Sequence, residues 1–470
     1  MSSSAQLSGS GHPTRAEWRA AAHFFHEEDT RYLRFMIPPG QQVLELGCGA
    51  GHTLAALEPS RGVGIDFNPD VIEEGRTAFP HLELIAGNIE DEAELAVIDG
   101  VFDFILLVDT LGVIKDCQAL LERLHRFCDA DTRLVLVYYS QLWDPLLRFA
   151  EAIGWKKKEG QRNVLSPPDL RAVAELADFD PVMSERRLLS PVSLLGLGRF
   201  VNRFLSPLPL IRGLALRHYT VCRSRRSADH EPKSVTIVVP ARNERANIEP
   251  TIKRIPRLCD ELEVILIEGH STDGTLEEMR RVQAAYPDLD IKVMTQPGRG
   301  KADAVFTAFD AARGDVLIIL DADLTVAPEQ LPKFWDAIRS GRGEFINGSR
   351  LIYPKEDGAM RFINLVGNRW FSLLFSWLLN QRYTDTLCGT KALRRSHYQR
   401  LKAEHAFFGD FDPFGDFHLI FGAYKLKLKT IEIPIRYGAR VYGETNISRF
   451  RDGLLLFKMV GFAFAKMKAI

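Results

Sequence analysis

The chain has 470 residues, is 46% hydrophobic and 26% charged, and carries a formal net charge of −1. That length allows two or three domains with separate cores, and the near-neutral balance excludes a nucleic-acid binder that works by bulk electrostatics. Six cysteines (Cys48, Cys117, Cys128, Cys222, Cys259, Cys388) with no C-x-x-C pair exclude a zinc ribbon and a disulfide scaffold and fit a reducing compartment.

Residues 1–18 are polar, lack the apolar core of a signal peptide and are expected to be disordered. No apolar run reaches the ~20 residues that span a bilayer, so a soluble or peripheral protein is expected. A first α/β domain is expected over 19–223, with strands at Gln42–Leu46, Gly62–Asp66, Phe102–Val108 and Arg133–Tyr138. A basic, apolar insert, Pro191–Leu214, precedes its late strand at Leu216–Cys222. Val43–Gly51, VLELGCGAG, is a strand running into Gly47-x-Gly49-x-Gly51, and these glycines let the backbone turn and approach a ligand. Glu45 can receive a cationic amino group, and Asp66, twenty-one residues on at the next strand end, suits ribose hydroxyls. A G-x-G-x-G loop with an acid ahead of it favours S-adenosylmethionine over NAD, whose loop is G-x-G-x-x-G.

With Gly87-Asn88-Ile89-Glu90 and Phe102–Asp109 (FDFILLVD), residues 20–225 resemble class I S-adenosylmethionine-dependent methyltransferases. The resemblance implies a Rossmann-like fold, cofactor binding by Glu45, Gly47, Gly49, Gly51 and Asp66, Asn88 near the adenine, and Asp109 near the methyl group. Many relatives place a His just after this Asp, where this chain has Thr110-Leu111-Gly112, so no general base is identified. Methyl transfer and cofactor-binding scaffolding both remain open for this half.

Residues 224–233, charged and without periodicity, read as a linker. A second strand–helix series, Ser234–Pro240, Glu263–Glu268, Ile291–Thr295 and Val316–Leu320, predicts a second parallel α/β domain over 234–450. Its first strand delivers Pro240, Ala241, Asn243 and Glu244 to a loop; the next ends at Glu268. Pro297-Gly298-Arg299-Gly300-Lys301 opens a helix over Ala302–Ala312, where backbone amides and two cations suit a diphosphate. VLIILDADLTVAPE then drives a buried strand into Asp321-Ala322-Asp323, whose two carboxylates, two residues apart, can share one divalent cation. An acidic helix-capping turn is the plain alternative for that tripeptide taken alone.

In this order the segments resemble inverting GT-A glycosyltransferases, the branch of dolichol-phosphate mannose synthase and related polyprenyl-phosphate sugar synthases, over residues 234–450. The resemblance implies a GT-A (nucleotide-diphospho-sugar transferase) fold, so that the whole chain is α/β with two tandem domains and C-terminal amphipathic helices. It further implies a nucleotide-sugar site of Pro240, Ala241, Asn243, Glu244, Glu268, Lys301, Asp321, Ala322, Asp323, Arg350 and Arg440. Asp321 and Asp323 would hold Mg²⁺ or Mn²⁺, and Asp323 would be catalytic. On the acceptor side Asp385, in TDTLCGTK, is the first candidate and Asp416 the second, with Asp412 behind it. The chain departs from the family at Glu268-Gly269-His270, at Thr325 and at Asn446, the last beyond Glu444, where the family carries Lys.

Three segments are expected at a bilayer interface: Phe362–Leu379, the basic amphipathic helix at 451–470, and the insert Pro191–Leu214. The expected partners are a nucleotide sugar, a polyprenyl-phosphate or glycan acceptor and the cytoplasmic face of the cell membrane, with no nucleic acid. A surface polysaccharide acceptor, with the first domain methylating the product or serving as a scaffold, is the alternative.

Overall fold

The computed structural model describes residues 22–152, 163, 165–227, 231–354, 362–403, 415–440, 442 and 449–470. The N-terminal 1–18, Asp412, Glu444 and Asn446 lie outside them. The chain divides into two compact units, Met1–Ser224 with Lys468–Ile470, and Arg225–Met467.

In the first unit seven strands are described: β1 Gln42–Leu46, β2 Arg61–Asp66, β3 Glu83–Ala86, β4 Phe104–Val108, β5 Arg133–Tyr139, β6 Phe179–Arg187 and β7 Arg217–Ser224. They lie in the order β3-β2-β1-β4-β5-β7-β6. The central strands are buried almost end to end, because helices cover both faces of a parallel sheet. Leu44 and Leu46, Ile105 and Leu107, Leu134 and Leu136 repeat at period two and join one core across three adjacent strands. Local chemistry sets the helix starts: Asn68 accepts from the amides of Asp70 and Val71 ahead of Pro69–Ala78, and Ser166 with Asp169 forms a capping box on Pro167–Leu176.

The second unit contributes β8 Ser234–Ala241, β9 Glu261–Glu268, β10 Asp290–Thr295, β11 Val316–Ile319, β12 Phe345–Ser349, β13 Lys391–Arg394 and β14 Thr430–Pro434. Their order is β10-β9-β8-β11-β13-β12-β14. Neither sheet is purely parallel, contrary to the expectation. β7 runs antiparallel to both β5 and β6, and β13 antiparallel to both β11 and β12. Strand period and helix spacing report that a strand is buried, not which way it runs. An antiparallel return needs no crossover helix.

Among the described residues no helix is long and apolar enough to cross a membrane. The helices Phe362–Leu379 and Arg449–Ala463 share an aromatic contact, Phe457 packing on Trp370 and Phe371 with ring centroids 5.4 and 5.2 Å apart. Val366, Leu373 and Leu454 remain exposed beside it.

Candidate functional site

Each sheet has one point where the strand order reverses: between β1 and β4 in the first unit and between β8 and β11 in the second. At such a point helices depart to opposite faces and leave a crevice beyond the carboxyl ends of the strands. The residues singled out in the sequence gather at these two places.

In the first unit Gly47, Gly49 and Gly51 all take left-handed φ, +77°, +56° and +76°. The amides of Gly47 and Cys48 donate to the Ile65 carbonyl at 2.8 and 3.2 Å. Asp66, buried at the end of β2, accepts from the amides of Gly49 (2.9 Å) and Asn68 (3.1 Å). A Cβ at Gly47 would stand 2.6 Å from Thr110 Oγ1, and one at Gly51 3.2 Å from Leu84. Thr110 therefore serves the loop: its hydroxyl donates to the carbonyls of Leu46 (2.8 Å) and Val108 (3.1 Å). Glu45 is buried in β1 and Asn88 is exposed beyond β3, two strands away from β1. The cradle of side-chain-free backbone with carboxylates at two strand ends fits a cofactor bearing an amino acid and a ribose.

Asp109, just past β4, also has positive φ (+58°) and is ion-paired with Arg217. Arg217 is fully buried, pairs with Asp29 at 2.9 Å and stacks over Tyr139 with its guanidinium carbon 4.5 Å from the ring centre. Burial opposes its charge, but Asp109 and Asp29 outweigh that cost and hold the guanidinium ionised. The Tyr219 hydroxyl donates to Asp29 as well. Asp29 and Arg217 were invisible in the sequence: one lies on the helix His23–Met36 and the other opens β7, 188 residues later.

In the second unit β8 ends in Pro240 and Ala241 and passes to Asn243, at φ +57°. Asn243 and the β9 turn brace each other: its amide donates to Ser271 Oγ (3.0 Å) and its Oδ1 accepts from the Thr272 amide (2.8 Å). Glu268, buried at the end of β9, accepts from the Ser271 amide. His270, where the family has an acid, reaches the Gly298 carbonyl at 2.9 Å and ties this turn to the glycine-rich loop.

Past β11, Asp321 takes Lys301 at 2.5 Å and Asp323 takes Arg440 at 2.5 Å, while Arg440 also holds Glu244 at 2.9 Å. Thr325 donates to Asp323 Oδ1 through its hydroxyl (2.7 Å) and its amide (3.1 Å). Ala322, between the two acids, is buried. Burial raises the cost of charging Asp321, yet Lys301, then Lys391 and Arg350, hold its carboxyl below the ordinary range. Burial likewise disfavours charge on Lys301, and Asp321 and Asp416 reverse that and raise it. A Cβ on Gly389 would overlap Asp321 and Lys301, so only glycine lets this backbone pass against the pair. Burial lifts the Glu244 carboxyl, the nearby Asp323 adds to the lift, and Asn247 and Arg440 oppose it.

Among the described residues no cluster of three or more His, Cys, Asp or Glu is gathered for a metal. Two carboxylates whose oxygens attract an ammonium and a guanidinium still form a hard-oxygen donor set. Mg²⁺ characteristically takes one or two protein carboxylates and completes its shell with phosphate oxygens, so the residues fit.

The acceptor-side candidates are placed differently from expectation. Asp385 is fully buried and grips Arg350 bidentately at 2.7 and 2.9 Å. Asn368 Nδ2 (2.9 Å) and the Leu387 amide (3.1 Å) complete its shell. It offers no face to an acceptor; it aims Arg350, whose guanidinium also lies 5.2 Å from the Tyr437 ring centre. Glu432, which the sequence reading missed, organises this corner from β14 by accepting from Thr384 and from the amide of Asp385. Asp416, at the start of the helix Asp416–Lys425, pairs with the buried Lys391 at 2.8 Å.

Burial pushes the Asp385 carboxyl up, but Arg350 and Asn368 bring it down to about 2. Its stabilisation is therefore complete above the unfolded value of about 3.9 and is lost as pH falls through about 2. Asp385→Asn is expected to cost about 2–3 kcal/mol at neutral pH. In urea unfolding that gap from the parent chain should close between about pH 4 and pH 2; a gap that ignores pH would refute the ionised pair.

Residues 236–401 match the profile of glycosyl transferase family 2, and residues 17–184 that of a methyltransferase domain. A glycosyltransferase of Haloferax volcanii, AglJ, is 30% identical over 231 residues, 48% of this chain and 70% of that protein. The dolichol-phosphate mannosyltransferase of Pyrococcus furiosus is 28% identical over 218 residues, 45% of this chain and 59% of its own length. An undecaprenyl-phosphate 4-deoxy-4-formamido-L-arabinose transferase of Pseudomonas aeruginosa is 28% identical over 237 residues, 48% of this chain and 64% of that protein. The chain thus spans between 59% and 70% of these relatives.

Proposed function

From the premise that this chain belongs to glycosyl transferase family 2 and carries a methyltransferase domain, we propose that it is bifunctional. The second unit transfers a sugar, with inversion, from a nucleotide sugar to a polyprenyl-phosphate-type acceptor, and the first unit transfers a methyl group from S-adenosylmethionine. The observation that carries the reading is the paired placement of Asp321 with Lys301 and Asp323 with Arg440 at the switch point of the second sheet.

Asn243, Glu244 and Glu268 line the nucleotide, and Lys301 with the amides opening its helix faces the diphosphate. Asp321 and Asp323 would hold Mg²⁺ or Mn²⁺, which would supply positive charge to the nucleoside diphosphate. Arg350, aimed by Asp385, and Arg440 bind phosphate oxygens of the donor or acceptor. A phosphate acceptor is already ionised at neutral pH and needs positioning more than deprotonation. That demand suits a site whose acceptor-side carboxylates, Asp385 and Asp416, are engaged with Arg350 and Lys391.

In the first unit Glu45, Gly47, Gly49, Gly51, Asp66 and Asn88 hold the cofactor and Asp109 flanks the transferred methyl. When bound, the cofactor would supply an electrophilic methyl group to an acceptor heteroatom, with the C–S electron pair left on sulfur and the acceptor's proton lost to solvent. The second unit sits peripherally on the inner face of the cell membrane, where a polyprenyl phosphate is reached; the exposed apolar residues Val366, Leu373, Leu454 and Phe457 support this.

The test incubates the purified chain with polyprenyl phosphate and a panel of labelled nucleotide sugars, with Mg²⁺ or Mn²⁺ or with a chelator. Label from one donor should enter the organic phase, fall to background with the chelator and return when metal is restored. Donor hydrolysis without organic label would move the acceptor to water-soluble glycans.

A further inference from the structure

The excursion between β6 and β7 contains no acidic residue from Leu188 to Leu216, ten leucines and the three cations Arg199, Arg203 and Arg212. It is a built structure. Its ends are pinched together by the Leu216 amide donating to the Leu188 carbonyl at 2.8 Å, and both leucines are buried with Phe25 against Tyr139 and Trp143. Inside it, buried Asn202 accepts from the amides of Leu189 (2.9 Å) and Ser190 (2.8 Å) and donates to Glu28 (3.1 Å).

A folded excursion of this composition would normally turn its leucines inward. Here Leu194, Leu195, Leu197, Phe200, Leu210 and Leu214 stand in solvent, Leu195 fully so and Leu210 at 95% of its maximum. Leu194 and Leu195 both take left-handed φ, +47° and +58°, a conformation L side chains rarely adopt, so the backbone is strained where it presents them. At the end of the excursion the Trp143 indole donates to the Leu214 carbonyl at 2.8 Å, and the turn Gln141–Trp143 with the helix Asp144–Ala152 that follows it adds exposed Leu142, Leu146 and Phe149 at helical spacing. Contiguous apolar surface on this scale marks an interaction site. Within the excursion no acid offsets Arg199, Arg203 and Arg212; Arg199 is paired from outside it with Glu27 at 2.5 Å and Arg203 donates to the Ala469 carbonyl at 2.9 Å. An apolar surface edged by cations takes an anionic bilayer as its occupant.

The position of this surface says what it is for. The helix following β5 leaves the carboxyl end of that strand, the end at which the cofactor cradle and Asp109 lie. Glu28, which holds Asn202, precedes Asp29, which holds Arg217, which holds Asp109. We propose that the methyl acceptor of the first unit is lipid-linked and reaches the site from an anionic membrane on which the Leu188–Leu216 excursion is seated. The proposal rests on methyl transfer by this unit and specifies the substrate class of that site. It does not depend on sugar transfer by the second unit.

The test uses the full chain and its Leu195→Glu/Leu210→Glu double variant, with Leu454→Glu/Phe457→Glu as a comparison. Cofactor binding is measured by equilibrium dialysis, flotation with vesicles of phosphatidylethanolamine and phosphatidylglycerol, and methyl label from S-adenosylmethionine in the lipid and aqueous extracts of membranes from expressing cells. Label should appear in the lipid extract and fall at least about tenfold in the excursion variant, a loss worth about 1.4 kcal/mol, with cofactor binding unchanged and flotation weakened. The comparison variant should keep lipid methylation closer to the parent level. Label confined to the aqueous extract, or lipid label indifferent to Leu195→Glu/Leu210→Glu, overturns the proposal. Failure to bind the cofactor at all overturns instead the methyltransferase reading beneath it.

Discussion

Asp323→Ala is expected to lower sugar transfer by about a hundredfold or more, the loss typical when a group aimed at developing charge is removed. The carboxylate sits at the end of a buried strand, receives two hydrogen bonds from Thr325 and meets Arg440 at 2.5 Å. Truncation removes half of the hard-oxygen donor set and also frees one end of the Arg440 bridge to Glu244. Two further variants separate these effects. Asp323→Asn retains a shape that Thr325 can bond but no charge, so it should fall nearly as far as the alanine variant. Arg440→Gln removes the bridge and the phosphate contact proposed for Arg440 but leaves both carboxylates, and should cost less. Steady-state kinetics on the labelled donor reads all three, with S-adenosylmethionine binding by the other unit as the internal control. An Asp323→Ala chain that transfers sugar at the parent rate would remove Asp323 from the site.

The second large effect is expected from Gly47→Val, which should weaken S-adenosylmethionine binding by more than about a hundredfold, or ~2.7 kcal/mol. Left-handed φ at a non-glycine residue costs about 1–2 kcal/mol, more for a β-branched one. The added Cβ would also meet Thr110 Oγ1 at 2.6 Å, so strain is compounded by overlap with the hydroxyl that spans Leu46 and Val108. Overpacking of this sort costs a further ~1–3 kcal/mol. Equilibrium dialysis measures the loss, and sugar transfer by the same preparation shows whether the second unit remains folded. Unchanged cofactor affinity would mean that the glycine loop is only a turn.

Much of this was legible in the sequence because the information is local. VLELGCGAG and VLIILDADLT each carry a buried strand and its functional terminus within ten residues, and each lies beside a switch point. The helix expected at Ala302–Ala312 is observed at Lys301–Ala311. What escaped was built from residues far apart in the chain. Arg217 is one arginine among many until the sheet brings it against Asp29 and Asp109. Asp385 reads as an acid free to act until β12 and the helix Phe362–Leu379 bury it with Arg350 and Asn368. Strand direction escaped because Leu216–Cys222 marks a strand without its sense, while β6 (FDPVMSERR) and β13 (KALR) are too polar and too short of apolar period to announce themselves.

The position of β13 also bears on how the chain is made. It lies between β11 and β12 although it follows both in sequence. During synthesis β8, β9, β10 and β11 can pair as they emerge, but β12 has no place beside them until residues 391–394 arrive. Until then the β11 edge is an open, apolar ladder one strand away from the nucleotide crevice, the kind of edge that pairs with the wrong chain. The middle of this sheet closes late, with only β14 still to add at the β12 edge. Slow translation or chaperone shortage should therefore be felt first as aggregation of the sugar-transferring half, since the seven described strands of the methyltransferase half are all made earlier and that half awaits only Lys468–Ile470.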